Sequence, residues 1–275
     1  MLGTKKEVKD WLVKSGIKHY TINEDLSVDV NGNVDLTGLV LSYIPIKFRN
    51  VVGNFNCGLN VLSSLKGCPS SVGGNFYCSQ NKLSSLLGCP VNVGGNFDCR
   101  LNNITSLVYG PEVVYGDFKC SANKLTSLVG CPYIGSGLYC HENKLSSLEG
   151  CLVALNGNLY CNDNQLVSLF GCPVSIGGDF DCANNQLVSL DGCCDQVVGS
   201  FDCHNNKLSS FENFPLAGDW VNCRDNNFKE EDLFLYNCFS EQIRQYYVSK
   251  NLNEKLSVAL IQDIGVGIKK QQKKI

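Results

Sequence analysis

At 275 residues and 44% apolar side chains, the chain is long enough to bury a core and too apolar for wholesale disorder. A formal charge of −3 gives no electrostatic reason to expect nucleic acid as the main partner. No run approaches the ~18 apolar residues of a membrane span, and "MLGTKKEVKDWLVKSG" carries charge where a leader needs an apolar core, so membrane association is not expected and a cytoplasmic location is. In that reducing setting the 17 cysteines should be thiols and not a disulfide framework.

Residues 1–33 read as an N-terminal cap. Thr4 and Glu7 have the spacing of a capping box, Val8, Trp11 and Leu12 share one helical face, and Gly16 is a stop, which predicts a helix over about residues 4–15. Residues 19–33 alternate like a strand and end in an Asn-Gly turn signal.

From residue 34 to 228 the chain repeats. Cys57, Cys78, Cys99, Cys120, Cys140, Cys161, Cys182, Cys203 and Cys223 recur every 20 or 21 residues, each with a bulky apolar residue two positions before it, Phe55 through Val221. An asparagine follows each three positions later, Asn60 through Asn226, and a further apolar residue follows two positions after that. A preceding unit begins at Val34, with Leu39 at the asparagine position, which makes ten units with atypical ends, as capping repeats require. The alternation of F-x-C predicts a short strand with both apolar groups on one face, and "VGGN" before it and "GCP" after it read as chain breaks. One strand per turn, stacked in parallel at ~4.8 Å, makes a solenoid. A buried amide at the asparagine position can satisfy loop N–H and C=O groups of its own and adjacent turns.

The cysteines fall into two columns, one in the strand and one in "GC" or "GCP" (Cys68, Cys89, Cys131, Cys151, Cys172, Cys193), with Cys194 and Cys238 outside both. A thiol packs as a small apolar group, so both columns read as packing. The spacing C-x-x-N is not a zinc motif, and only three histidines, His19, His141 and His204, are present; no metal or cofactor is expected. Phosphate loops, nucleophile elbows and H-E-x-x-H are absent from the sequence, and Cys203 and His204 point to opposite faces of one strand, so an enzyme is not expected.

Written F-x-C-x-x-N-x-L-x-S-L, the unit resembles the leucine-rich repeat, with cysteine at one leucine position. That resemblance covers residues 34–228 and implies a β-rich horseshoe of parallel strands with little or no helix on its convex side. Residues 229–275 then read as a C-terminal helical-hairpin cap with a basic tail, "IKKQQKKI". The form "NKLxSLxGCPxxVGG" is also similar to repeats of uncharacterised bacteriophage and giant-virus proteins, which implies a viral origin and, from there, a role in the host cytoplasm.

Leucine-rich repeats bind partners on the concave strand face, and the outward strand positions here vary while the scaffold columns do not. The candidate positions are Tyr77, Arg100, Lys119, Tyr139, His141, Tyr160, Asp181 and Asp202. Tyr139 and Tyr160 should be neighbours with His141 beside them and Arg100 and Lys119 on earlier turns, a composition typical of binding hot spots. Tyrosine on an exposed strand also serves cross-strand packing, and the two readings stand side by side. Asp179, Asp181 and Asp202 form an acidic patch, for which a solvated face is the commonest outcome, a site for a basic partner the functional reading and calcium a weaker alternative. The expected function is non-enzymatic binding of a protein, a host protein if the chain is a phage-encoded inhibitor; self-association as a virion or assembly component and a small-ligand or nucleotide sponge are the alternatives.

Overall fold

A computed structural model of the chain describes residues 1–229. The expected C-terminal helical hairpin and basic tail lie outside the described residues. The chain divides into two units, Met1–Asn227 and Phe228–Ile275, and the description below concerns the first.

Helix α1 (Lys5–Lys14) opens with the capping box: the Thr4 hydroxyl accepts from the Glu7 N–H, and the Glu7 carboxylate accepts from the Thr4 N–H. Its apolar face buries Val8 and Leu12, and Trp11 meets Phe48 edge-on at 6.4 Å. Residues 19–33 form an antiparallel hairpin, β1 (Tyr20–Ile22) and β2 (Ser27–Val30), where the alternation predicts one strand. The extra reversal uses Leu26 in the left-handed region, φ 61°, a conformation that alternation alone does not encode.

Ten two-residue strands, from Val34–Asp35 to Val221–Asn222, pair in parallel and in register to form one sheet. The step from one strand to the next is the repeat, so residues one coil apart lie side by side: Phe76 against Phe97, Leu138 against Leu159. The bulky residue and the cysteine of each unit face inward. Phe55, Phe76, Phe97 and Phe118 stack at centroid separations of 5.1–5.7 Å, and the strand cysteines fill the gaps beside them.

Each coil also contains a second strand, which the sequence reading took for a break. The valine of "VGG" is part of a row of its own that starts at Lys47–Val51 and runs through Ser71–Val72, Asn92–Val93 and Val113–Val114 to Tyr133–Ile134, joined to the hairpin as a seven-stranded sheet. The row resumes as four strands from Ala154–Leu155 to Leu216–Ala217. Val72, Val93, Val114, Ile134, Leu155 and Ile176 close the core from this side. Two-residue strands leave too little alternation to be legible, and the glycines beside them answer to crowding instead of to a turn. A Cβ on Gly94, for example, would lie 2.1 Å from the carbonyl oxygen of Gly73 in the preceding coil.

Two ladders of polar side chains tie the coils together. In the first, Asn81 Nδ2 donates to the carbonyls of Cys78 and Ser79 in its own coil and of Cys57 one coil back, while its Oδ1 accepts the Leu62 N–H at 2.9 Å. The same pattern holds from Asn60 to Asn206, and these amides are buried. Each is preceded by a residue in the left-handed region, Leu59, Gln80, Leu101 and Ala122 among them, with φ of 51–56°. Ala122→Gly should therefore stabilise the fold by about 0.5 kcal/mol, the relief of left-handed strain less the added chain entropy of glycine; the denaturant midpoint measures it.

The second ladder stands immediately before the first-row strands. Asn54 Oδ1 accepts the Asn75 N–H, Asn75 the Asn96 N–H and Asn96 the Asp117 N–H, each at 2.7–2.8 Å. Asn158 and Asp179 continue it at 2.9 Å. A Cβ on Gly178 would lie 2.0 Å from Asn158 Oδ1, so glycine is required beside this ladder.

Candidate binding face

Because side chains alternate across a strand, the residue between the inward pair points out, and strict register sets these residues in one row: Asn56, Tyr77, Asp98, Lys119, Tyr139, Tyr160, Asp181, Asp202. The residue after each cysteine forms a second row, with Arg100, His141 and His204 among its members.

The two tyrosines meet as the sequence requires, edge to face at 5.2 Å. Lys119 Nζ sits 5.2 Å from the Tyr139 ring centroid and 3.4 Å from an Asp117 carboxylate oxygen. The Tyr160 hydroxyl donates to Asp179 at 3.2 Å and accepts from Asn158 Nδ2 at 3.3 Å. Burial, then the charges of Asp117 and Asp179 respectively, push both phenols above their ordinary pKa, so both stay neutral donors. The second ladder is interrupted here: Gly137 has no side chain to accept the Asn158 N–H, and a Cβ on it would lie 3.1 Å from the Tyr139 ring. The inward column changes at the same place, from phenylalanine to Leu138 and Leu159.

Asp117, Asn158 and Asp179 orient this cluster and were not among the sequence-derived site residues. Their signal was the Asn or Asp that recurs before most first-row strands. Asp179 is thus a ladder member and a tyrosine partner, where the sequence alone placed it in an acidic patch.

The remaining candidates behave differently. Arg100 is held by its own strand, with Nε at 3.0 Å and one terminal nitrogen at 2.8 Å from the two Asp98 carboxylate oxygens, a bidentate pair that fixes its direction. His141 is half-buried; burial foremost lowers its pKa, and its Nδ1 is a buried side-chain polar atom without a partner. Tyr77 lines a shallow open depression with Thr37, Asn56 and Ser79, three coils from Tyr139.

Asp181 and Asp202 are cross-strand neighbours. Asp202 accepts from Asn222 Nδ2 at 3.1 Å and lies 2.7 Å from His204 Nδ1. Asp181 accepts the Ala183 N–H at 3.0 Å, and burial, then Asp202, raise its pKa to about 6. Its folded pKa exceeds its unfolded one, so ionisation costs stability that is lost as pH rises from about 4 through 6. Asp181→Asn should accordingly stabilise the fold at pH 7 and make no difference below pH 4, a contrast that thermal midpoints at the two pH values read directly. Among the described residues no three His, Cys, Asp or Glu side chains converge as a metal site.

Ten stacked coils, each with one short strand that turns two apolar side chains inward, and a row of buried asparagines from Asn60 to Asn206 that links each of those coils to the one before it, define a leucine-rich-repeat solenoid. That architecture is consistent with a protein-interaction module. Among solved structures the chain is similar to YopM from Yersinia enterocolitica WA-314, at 20% identity with a TM-score of 0.47, over 74% of this chain and 55% of that one. The chain spans little more than half the length of that protein. Neither a family model nor a curated protein matches the sequence. No helix among the described residues is long and apolar enough to cross a membrane.

Proposed function

We propose that the chain is a non-enzymatic binding module that holds a partner protein on the outward face of its ten-stranded sheet, centred on Tyr139 and Tyr160 with Tyr77, Arg100, Lys119, His141, Asp181 and Asp202 around them. The observation that carries this reading is the tyrosine pair: two half-buried rings packed edge to face, with the Tyr160 hydroxyl hydrogen-bonded to Asn158 and Asp179, on an otherwise repetitive scaffold. Rigid aromatics that keep a hydroxyl at the surface lose little entropy on binding, which suits an anchor. The charge around them suits a partner with a basic rim, since residues 51–227 contain 14 Asp or Glu against 8 Lys or Arg, and Lys119 and Arg100 are already paired. Function is then by occupancy, and the finer reading is a phage-encoded inhibitor that covers a host protein in the host cytoplasm.

The test is affinity capture from host lysate with the parent chain and with the Tyr139→Ala, Tyr160→Ala double variant, its fold checked by circular dichroism. Recovery of one basic-faced protein by the parent and its loss with the variant supports the reading. Equal recovery with both, or none with either, removes the tyrosines from the function.

A further inference from the structure

From Asn33 to Asp179 each coil places an Asn or Asp immediately before its first-row strand, with one exception, Gly137. Gly137 still joins the second ladder from one side, since its N–H donates to Asp117 Oδ1 at 3.1 Å. It passes nothing on, because it offers the Asn158 N–H of the next coil no acceptor. A coil boundary in the middle of the array thus lacks a cross-coil hydrogen bond that its neighbours have.

The backbone does not call for glycine here. Gly137 is not in the left-handed region, where glycine is favoured. The next coil crowds it, but less than backbone crowds Gly94: a Cβ on Gly137 would lie 3.0 Å from the Asn158 carbonyl oxygen, a contact that a small shift relieves, against 2.1 Å from the nearest carbonyl oxygen at Gly94. What fills the space is a side chain. The same Cβ would lie 3.1 Å from Tyr139 Cε2, so the ring edge stands where a ladder side chain would begin, and Gly137 is buried.

The ring geometry carries the mark of this exchange. Like residues in register on adjacent parallel strands can stack nearly parallel, as Phe55 and Phe76 do at an interplanar angle of 9°. Tyr139 and Tyr160 are in register as well, yet their planes cross at 78°. The two differ in the residue two positions before each. Tyr160 follows Asn158, whose Nδ2 donates to the Tyr160 hydroxyl at 3.3 Å, whereas Tyr139 follows Gly137 and its ring edge takes the vacated place.

The geometry points to Gly137 as the positioning residue of the tyrosine pair: the second ladder gives up one side chain so that the Tyr139 ring packs against the backbone and turns edge to face with Tyr160. Lys119, 3.4 Å from Asp117, then meets the Tyr139 ring at 5.2 Å, so the cation and the second tyrosine are both set against a ring whose place Gly137 opens. The importance of this for binding rests on the reading of the tyrosines as the anchor; the packing role of Gly137 does not.

The experiment compares the full-length parent with Gly137→Asn, which restores the ladder residue. In the parent, proton NMR should show nuclear Overhauser contacts from the Gly137 α-protons to the Tyr139 ring and between the Tyr139 and Tyr160 rings. Gly137→Asn should lose the contact between the two rings, yet unfold at a thermal midpoint no lower than the parent's, because the new amide can accept the Asn158 N–H. Its capture of the partner from lysate should fall to the level of the Tyr139→Ala, Tyr160→Ala double variant. No contact between Gly137 and Tyr139 in the parent, an unchanged ring pair in Gly137→Asn, or a lowered midpoint, which would mean that the scaffold itself requires glycine, overturns the proposal. So does full capture by Gly137→Asn where the double variant has lost it. If the double variant captures as well as the parent, the anchor reading falls instead, and the ring contacts and midpoints alone still decide the role of Gly137.

Discussion

Asn143→Ala is expected to destabilise the solenoid by roughly 3 kcal/mol, because it strands several buried groups at about 1–3 kcal/mol each. Asn143 Nδ2 donates to the carbonyls of Cys140 and His141 in its own coil and of Cys120 one coil back, and its Oδ1 accepts the Leu125 N–H at 2.9 Å. Alanine supplies none of these hydrogen bonds. Asn226→Ala near the end of the array should cost less, since its bonds are partly open to solvent. Urea denaturation of the two variants and the parent measures the difference; equal losses would mean that the amides act singly and not as a buried ladder.

The second large effect is expected for Phe97→Ala. Phe97 is fully buried between Phe76 at 5.1 Å and Phe118 at 5.4 Å, and its truncation opens a cavity in a column whose neighbours are held by fixed strand register. A loss of about 3–5 kcal/mol follows from large-to-small substitutions of this kind. Phe97→Leu should be far milder, because Leu138 and Leu159 occupy the same column two and three coils on. If Phe97→Leu costs as much as Phe97→Ala, the column is a set of individually fitted rings and not a tolerant stack.

The long-range plan was legible because the repeat imposes it: a residue 20 or 21 positions away is a spatial neighbour, so columns in the sequence are columns in space. Phe55 to Val221, the strand cysteines and the asparagines could all be placed inward on that ground, and Tyr139 beside Tyr160 followed from register alone. What could not be read is what depends on local backbone geometry. The left-handed residues before each asparagine include Leu59, Gln80 and Leu101, types that signal no such conformation. The second strand row hid in "VGG", where close approach to the preceding coil and not turning is what requires glycine. Likewise the partners of the tyrosines, Asp117, Asn158 and Asp179, are ladder residues first, and the pairing of Arg100 with Asp98 depends on a side-chain conformation that spacing does not specify.

The placement of function on the outward face of the ten-stranded sheet is tested most directly by photo-crosslinking from single positions. A benzophenone side chain is introduced at Tyr139 in one variant and at Tyr133 in another. Tyr133 is exposed, where Tyr139 is half-buried, and belongs to the second strand row. Irradiation in lysate of the cells that naturally contain the chain should yield one discrete adduct from position 139 and none from position 133. An adduct from 133 with none from 139 would place the partner on the opposite row and contradict the assignment of the binding face.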